Sequence, residues 1–168
     1  MSLGIMLLLD IVVLWIHIFA AMIFIGGSFF IWLVVWPGVY NYTQDKREHA
    51  QIVGKIARRF AWFTHISLIT LIVTGLFNLT WYLPSYSSLF DTEGGRALLL
   101  KMILVVIMIT IIYGNNLYHG KKIVRLSREG KMDEVKKIRK ISHLMSFISL
   151  ALMVAIVLLA TSLQFLPT

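Results

Sequence analysis

Long apolar stretches alternate with short polar ones along the 168-residue chain. Four stretches are almost entirely hydrophobic, at about residues 11–36, 60–82, 97–118 and 142–165. A stretch of 18 or more such residues is typical of a transmembrane helix, because about 20 helical residues cross the hydrocarbon core of a bilayer. Short links favour antiparallel neighbours. The pattern predicts one domain over residues 1–168, an all-α membrane protein with an up-down bundle of four transmembrane helices.

Basic residues are concentrated in two of the three connectors. Fourteen of the 16 Lys and Arg lie in segments 37–59 and 119–141. By the positive-inside rule, such connectors lie on the cytoplasmic side of the cell membrane. Both are therefore predicted to be cytoplasmic loops, and both termini are predicted to lie outside. The same clustering accounts for the net charge of +8 without a nucleic-acid partner.

The second basic connector, 119–141, also carries apolar residues among its charges: Ile123, Leu126, Val135 and Ile138. Two interpretations are open. A short basic amphipathic helix would lie on the anionic inner leaflet. Alternatively, the third and fourth helices continue into water as charged extensions.

Composition limits the chemistry that this chain can perform. Hydrophobic residues make up 58% of it, more than a soluble domain of this size can bury. The chain contains no cysteine, which excludes disulfides and thiolate metal ligands. Nucleotide-binding loops, zinc-protease motifs and nucleophile elbows are also missing from the sequence. Histidine, lysine and methionine remain as the candidate functional side chains.

His17 interrupts the first apolar stretch. An ionisable side chain there is costly to place in lipid, so it marks a candidate functional site. Four residues at helical spacing from His17 form one face that is partly polar and partly small: Asp10, Ala21, Phe24 and Ser28. This face is predicted to turn toward a neighbouring helix or a cofactor rather than lipid.

The depth of each polar residue follows from its position, because an α-helix rises about 1.5 Å per residue. His17 and Lys101 are predicted to lie roughly 9 Å and 10 Å outward of the midplane, in one layer. There, Lys101 needs an acceptor or an anionic partner unless its ammonium reaches the surface. His65 is predicted to lie roughly 9 Å inward, so His17 and His65 cannot be the two axial ligands of one metal.

Two haem arrangements are open on this scale of depth. The first uses His17, together with Lys101 or with no second protein ligand. The second pairs His65 with His119 or His143, which lie at the inner ends of the third and fourth stretches.

Copper is the alternative metal. Met22 lies near His17 in the chain and could join it in a transient relay. Cu(I) prefers thiolate and thioether ligands, and the methionines within the stretches form no closely spaced pair. The ligand set that the sequence offers for copper is therefore small.

Several short motifs resemble a known family. IHIFAAMIFIGG, residues 16–27, resembles the opening helix of the copper-resistance D (CopD) domain and of the related HemJ proteins. The likeness continues at RRF (58–60), at VTGL (73–76) and at LLLKMILVV around Lys101. The HemJ resemblance implies a four-helix protein that binds haem b and oxidises protoporphyrinogen, with a first-span His and a third-span Lys as its key polar pair. The CopD resemblance implies copper uptake or resistance.

The resulting prediction is an integral membrane redox protein that binds a b-type haem at His17. Lys101 is predicted to be the second ligand or the catalytic partner, and His65 is a further cofactor-binding candidate. Oxidation of a quinol or a porphyrinogen is implied by the resemblance alone. The alternatives are a CopD-like copper transport or resistance protein and an accessory subunit of a membrane respiratory complex. Predicted partners are the lipid bilayer, a quinone or porphyrinogen substrate, and a second copy or a respiratory-complex subunit.

Overall fold

The structure, a computed structural model, describes residues 3–43, 46–82 and 87–166. Every regular element within these ranges is helical. The chain divides into two compact units, Met1–Pro84 and Ser85–Thr168. The predicted all-α class is therefore confirmed.

The first unit is a pair of long helices that pack against each other. Its elements are α1 (Leu3–Phe30), a π-helical segment (Ile31–Val35), α2 (Trp36–Tyr42) and α3 (Lys46–Tyr82). The π-helical segment leads directly into Pro37. Because proline lacks an N–H and its ring crowds the preceding turn, the wider π turn accommodates it within one continuous helical stretch. The packing of α1 on α3 forms the interior of this unit.

The second unit pairs α5 with α7. Its elements are α4 (Ser88–Asp91), α5 (Glu93–Gly114), a π-helical segment (Asn115–Gly120), α6 (Lys121–Arg128), α7 (Met132–Ser162) and a 3-10 turn (Leu163–Phe165). Thr92 caps α5, because its hydroxyl oxygen accepts a hydrogen bond from the Gly95 N–H at 3.0 Å. This cap sets the start of the third long helix.

A tight turn at Gly130 joins α6 to α7. Gly130 has a φ of 73°, a left-handed conformation that favours glycine. The Lys131 N–H donates to the Leu126 carbonyl at 3.0 Å, which satisfies a carbonyl of the last turn of α6. Leu126 and Val135 are both buried where α6 and α7 pack together. The apolar residue Leu126 of α6 is thus covered by protein, and both interpretations of this connector stay predictions.

The two basic connectors, predicted as loops 37–59 and 119–141, are mostly helical. The helix that contains Pro37 runs on to Tyr42, α3 begins at Lys46, and α7 begins at Met132. Loss of hydrophobicity marked these boundaries in the sequence. It does not end a helix, because Lys, Arg and Glu are strong helix formers.

Four helical stretches within the described residues are long and apolar enough to cross a membrane: Gly4–Tyr42, Gln51–Thr80, Glu93–Ile123 and Asp133–Ser162. Many large apolar side chains on them face outward, such as Trp62 at 70% exposed and Val106 at 63%. Exposing so much apolar surface to water would be energetically unfavourable, whereas exposing it to lipid is not. The chain is a multi-pass membrane protein. The closed four-helix bundle and the side of the membrane on which the connectors and termini lie stay predictions.

Candidate functional site

His17 points from α1 to α3 inside the first unit. Its Nδ1 lies 2.7 Å from the Thr74 hydroxyl oxygen. That hydroxyl donates its proton to the Thr70 carbonyl at 2.6 Å. A hydroxyl has one proton to donate, so the Thr74 oxygen must accept from His17 Nδ1–H. The network therefore places a proton on Nδ1 of the imidazole, which leaves the lone pair on Nε2 when the ring is neutral.

Gly75 lies against the edge of the His17 ring. A Cβ at position 75 would sit 3.4 Å from His17 Cε1, the ring carbon between the two nitrogens. Glycine lets the backbone of α3 approach the Cε1–Nδ1 edge of the ring, and we call this approach the cradle at Gly75.

A buried polar atom lies one helical turn beyond Thr74. Asn78 Oδ1 is shielded from solvent and receives no hydrogen bond from any residue that the structure describes. Leaving such an acceptor unsatisfied costs about 1–3 kcal/mol. Asn78, Thr74 and Ser67 share the face of α3 that is turned inward, and Ser67 and Thr74 are both buried. This face can take a further hydrogen-bond donor close to His17.

The buried face of α1 differs slightly from the predicted one. Phe24 is 2% exposed, as expected, but its buried neighbour is Ala20 rather than Ala21. The Ser28 hydroxyl donates to the Phe24 carbonyl at 2.6 Å, so its hydrogen bond is made within α1. Adjacent residues lie 100° apart on a helix, and the position of α3 selects Ala20.

Close packing of the two helices fixes the position of His17. A Cβ on Gly27 would fall inside the van der Waals envelope of the Phe60 ring. Small residues at such a crossing let helices approach closely in a membrane. Gly27 and Phe60 thus set the distance between α1 and α3, and this distance brings His17 within reach of Thr74.

His65 lies in a different layer of the same unit. It precedes Thr74 by nine residues of α3, which is roughly 14 Å along the helix axis. The expectation that His17 and His65 do not share one metal stays a prediction. A role for His65 in cofactor binding stays a prediction.

Lys101 lies on α5, in the second unit, and is half-buried. Its pairing with His17 therefore stays a prediction, as does its role as a second ligand. His119 and His143 also lie in the second unit, so their pairing with His65 stays a prediction too.

Asn115 anchors a second polar cluster that the sequence did not indicate. Its amide Nδ2 donates to the Ser142 carbonyl at 3.2 Å and to the Ser146 hydroxyl at 3.3 Å, joining the π-helical segment to α7. Asn115 Oδ1 and His119 Nδ1 are buried and unpartnered within residues 87–166. π-helical segments within α-helices are often found at functional positions.

The described residues offer few side chains that could coordinate a metal ion directly. They contain no group of three or more His, Asp or Glu side chains that could hold a metal ion. Met22 follows His17 by five residues, which places it about 140° away around α1. Its side chain is 56% exposed on the outer surface of the helix. Met22 and His17 therefore lie on different sides of α1, and the predicted His17–Met22 copper relay stays a prediction.

Sequence reasoning missed Thr74 and Gly75 as neighbours of His17. Thr74 contacts His17 across the helices and also donates to the Thr70 carbonyl of its own helix. The available signal was depth, because Thr74 and His17 both fall in the outer half of their predicted stretches. Nothing in the sequence indicated which of the polar residues on α3 would face the imidazole.

Comparison with known proteins identifies the family to which the chain belongs. The family model for copper resistance protein D matches residues 54–163, more than half of the chain. An uncharacterized protein of Aquifex aeolicus (strain VF5) is 33% identical over 110 residues, which cover 65% of this chain and 69% of that relative. No solved structure matches the chain. The family match includes Thr74 and Gly75 and begins after His17. This chain belongs to the copper resistance protein D family.

Proposed function

We propose that this protein is a membrane redox protein in which His17 Nε2 is an axial ligand of a b-type haem. The observation that carries the proposal is the hydrogen bond from His17 Nδ1–H to Thr74. Metal-binding histidines almost always donate their second N–H to an acceptor, which orients the ring and makes the ligating nitrogen more basic. Thr74 performs both tasks for His17.

The residues around His17 suit a haem better than a bare metal ion. A porphyrin brings four nitrogen ligands of its own, so one imidazole completes an axial position. The described residues provide such an imidazole but no cluster of metal ligands. Gly75 keeps side-chain atoms away from the ring edge, and Asn78 Oδ1 offers a buried acceptor to a polar group nearby.

A bound haem supplies one-electron redox chemistry, and its axial ligand and surroundings set its reduction potential. The chain's contribution is to orient the imidazole, to hold the Nδ1 proton on Thr74 and to exclude water with apolar helices. A role for Lys101 in binding the cofactor stays a prediction. Oxidation of a quinol or a porphyrinogen is the reaction implied by the HemJ resemblance.

Copper transport or resistance is the second candidate, and the family description favours it. Copper would bind His17 Nε2 together with a donor other than Met22, whose side chain faces outward. A single protein ligand holds a bare copper ion weakly compared with two or three. We therefore rank copper below haem for the His17 site.

The absorption spectrum of the purified protein tests the proposal. We expect a Soret band, either as isolated or after addition of haem, with no stoichiometric copper by elemental analysis under reducing conditions. Protein that stays colourless after haem addition and retains copper would overturn the haem proposal in favour of transport. Protein that binds neither and co-purifies in fixed ratio with respiratory subunits would indicate the accessory role.

The Thr74→Val variant is expected to bind haem about 10- to 100-fold more weakly, the usual cost of losing a metal ligand's hydrogen-bonding partner. Valine has nearly the shape of threonine but cannot accept the Nδ1–H. Thr74→Ser keeps the hydroxyl and should bind as wild type does. Haem titration followed at the Soret band measures the difference.

Thr80→Val is the matched control for this series. The Thr80 hydroxyl donates to the carbonyl of Phe77 on the same helix, at 2.7 Å, and the residue is exposed. Its loss should leave haem affinity unchanged. Equal affinity in Thr74→Val and wild type would remove the structural support for His17 as an oriented ligand.

A further inference from the structure

A basic, open cavity of about 410 Å³ lies on the surface of the helix where the third transmembrane stretch ends, at a distance along the chain from the His17 site. Its lining comes from one continuous helical run, the π-helical segment and α6: Leu117, Tyr118, Lys121, Lys122 and Arg125. These positions recur at one-turn spacing, so they form one face. Three of the five are cations, and none is acidic.

One end of the cavity is lined by apolar residues and the other end by cationic residues. Leu117 and Tyr118 are 57% and 63% exposed, and they belong to the stretch that is apolar enough to cross a membrane. Lys121 begins the charged part of the helix, one turn further on. A ligand that fits both ends has a hydrocarbon portion beside Leu117 and an anionic group beside the basic residues.

The basic residues keep their charges available to an anion. Lys122 Nζ lies 5.5 Å from the centre of the Tyr118 ring, a cation–π contact that positions the ammonium over the cavity. Arg125 forms a long ion pair with Glu129 at 3.7 Å, and both side chains are well exposed. Such surface pairs contribute little and leave the guanidinium able to bind a stronger anion. Glu129 is also held by Lys131 at 2.9 Å.

The side of α6 that carries Leu126 is buried against α7, so the cavity on its other side is where α6 can contact lipid. Leu126 is 3% exposed and packs where α6 meets α7, so it cannot insert into a bilayer. The described side chains of α6 that are exposed, Lys121 and Arg125, are both basic. We propose that the cavity binds the phosphate headgroup of an anionic phospholipid, with the acyl chains lying along Leu117 and Tyr118.

Lipid binding to the full-length protein tests this inference. Phosphatidylglycerol and phosphatidylcholine are titrated separately onto the detergent-solubilised protein, and bound lipid is counted by native mass spectrometry. We expect phosphatidylglycerol to be retained in preference to phosphatidylcholine. The Lys121→Gln/Lys122→Gln/Arg125→Gln triple variant should lose roughly a hundredfold in phosphatidylglycerol affinity, because each basic residue near an anionic surface contributes about fivefold.

The matched control removes the same charge from α7. Lys137→Gln/Arg139→Gln/Lys140→Gln alters three exposed cations that do not line the cavity. It should retain phosphatidylglycerol as wild type does. Equal losses in both triple variants would mean that net charge alone attracts the lipid, and the cavity proposal would fail.

Inorganic phosphate separates a lipid site from a site for a free anion. Because phosphate lacks acyl chains, it should displace phosphatidylglycerol only weakly. Displacement by phosphate at concentrations equal to the lipid would overturn the lipid assignment. The Soret absorbance of the haem-loaded triple variant should match wild type, so this proposal and the haem proposal fail independently.

Discussion

His17→Ala is expected to abolish the haem absorbance of the protein. The substitution removes the nitrogen that we propose as the axial ligand, so its effect should exceed the 10- to 100-fold cost of losing a ligand's hydrogen-bonding partner. The fold should persist, because Thr74 still donates its proton to the Thr70 carbonyl and no buried donor is left unpaired. Haem titration followed at the Soret band, with circular dichroism of the same samples, measures both effects.

His65→Ala is the matched control. His65 lies on the same helix as Thr74 but roughly 14 Å away along its axis, so its loss should leave the Soret band unchanged. Added imidazole should restore part of the band to His17→Ala by occupying the vacated ligand position. The reverse pattern, with the band lost only in His65→Ala, would move the haem to the layer of His65 and contradict our assignment.

Gly27→Leu is expected to destabilise the first unit by at least the roughly 1–3 kcal/mol that overpacking of a filled interior costs. The first carbon of the new side chain would already overlap the Phe60 ring. Separation of α1 from α3 would also lengthen the hydrogen bond between His17 and Thr74, so haem affinity should fall together with stability. Thermal unfolding in detergent, followed by intrinsic tryptophan fluorescence, gives the change.

Gly26 provides a control one residue away on the same helix. A Cβ there would have no atom within 4 Å in the described part of the chain, and Gly26 is exposed. Gly26→Leu should therefore be neutral or stabilising by up to about 1 kcal/mol, since leucine is the better helix former. Adding Phe60→Ala to Gly27→Leu should recover stability, because it removes the overlapping ring. Equal destabilisation by the two leucine substitutions would contradict close packing at Gly27.

The sequence predicted the features that depend on the residue types within one stretch of chain. Each membrane-crossing stretch was visible as an apolar run, because lipid imposes hydrophobicity on every exposed position of a helix. The apolar stretches did not indicate where the helices begin. Helix α3 begins at Lys46, ahead of the apolar stretch at 60–82, because basic residues sustain helical hydrogen bonds as readily as apolar ones do.

The candidate site was predicted in part. The cost of an imidazole in lipid singled out His17, and the same face of α1 included Phe24, which is buried. The choice of Ala20 over Ala21 could not be predicted, because it depends on where the axis of α3 lies. The roles of Thr74 and Gly75 were missed for the same reason, since each acts through a neighbour 57 or 58 residues away in the chain.

Membrane residence, the all-helical class and the choice of His17 as a candidate thus follow from residue types and their order, because they reflect the transfer of side chains and backbone between water and lipid. The tautomer of His17, its Thr74 acceptor and the cradle at Gly75 follow from the packing of α1 on α3. They depend on distances of a few ångströms between helices, and Gly27 and Phe60 set those distances through contacts that no local pattern encodes.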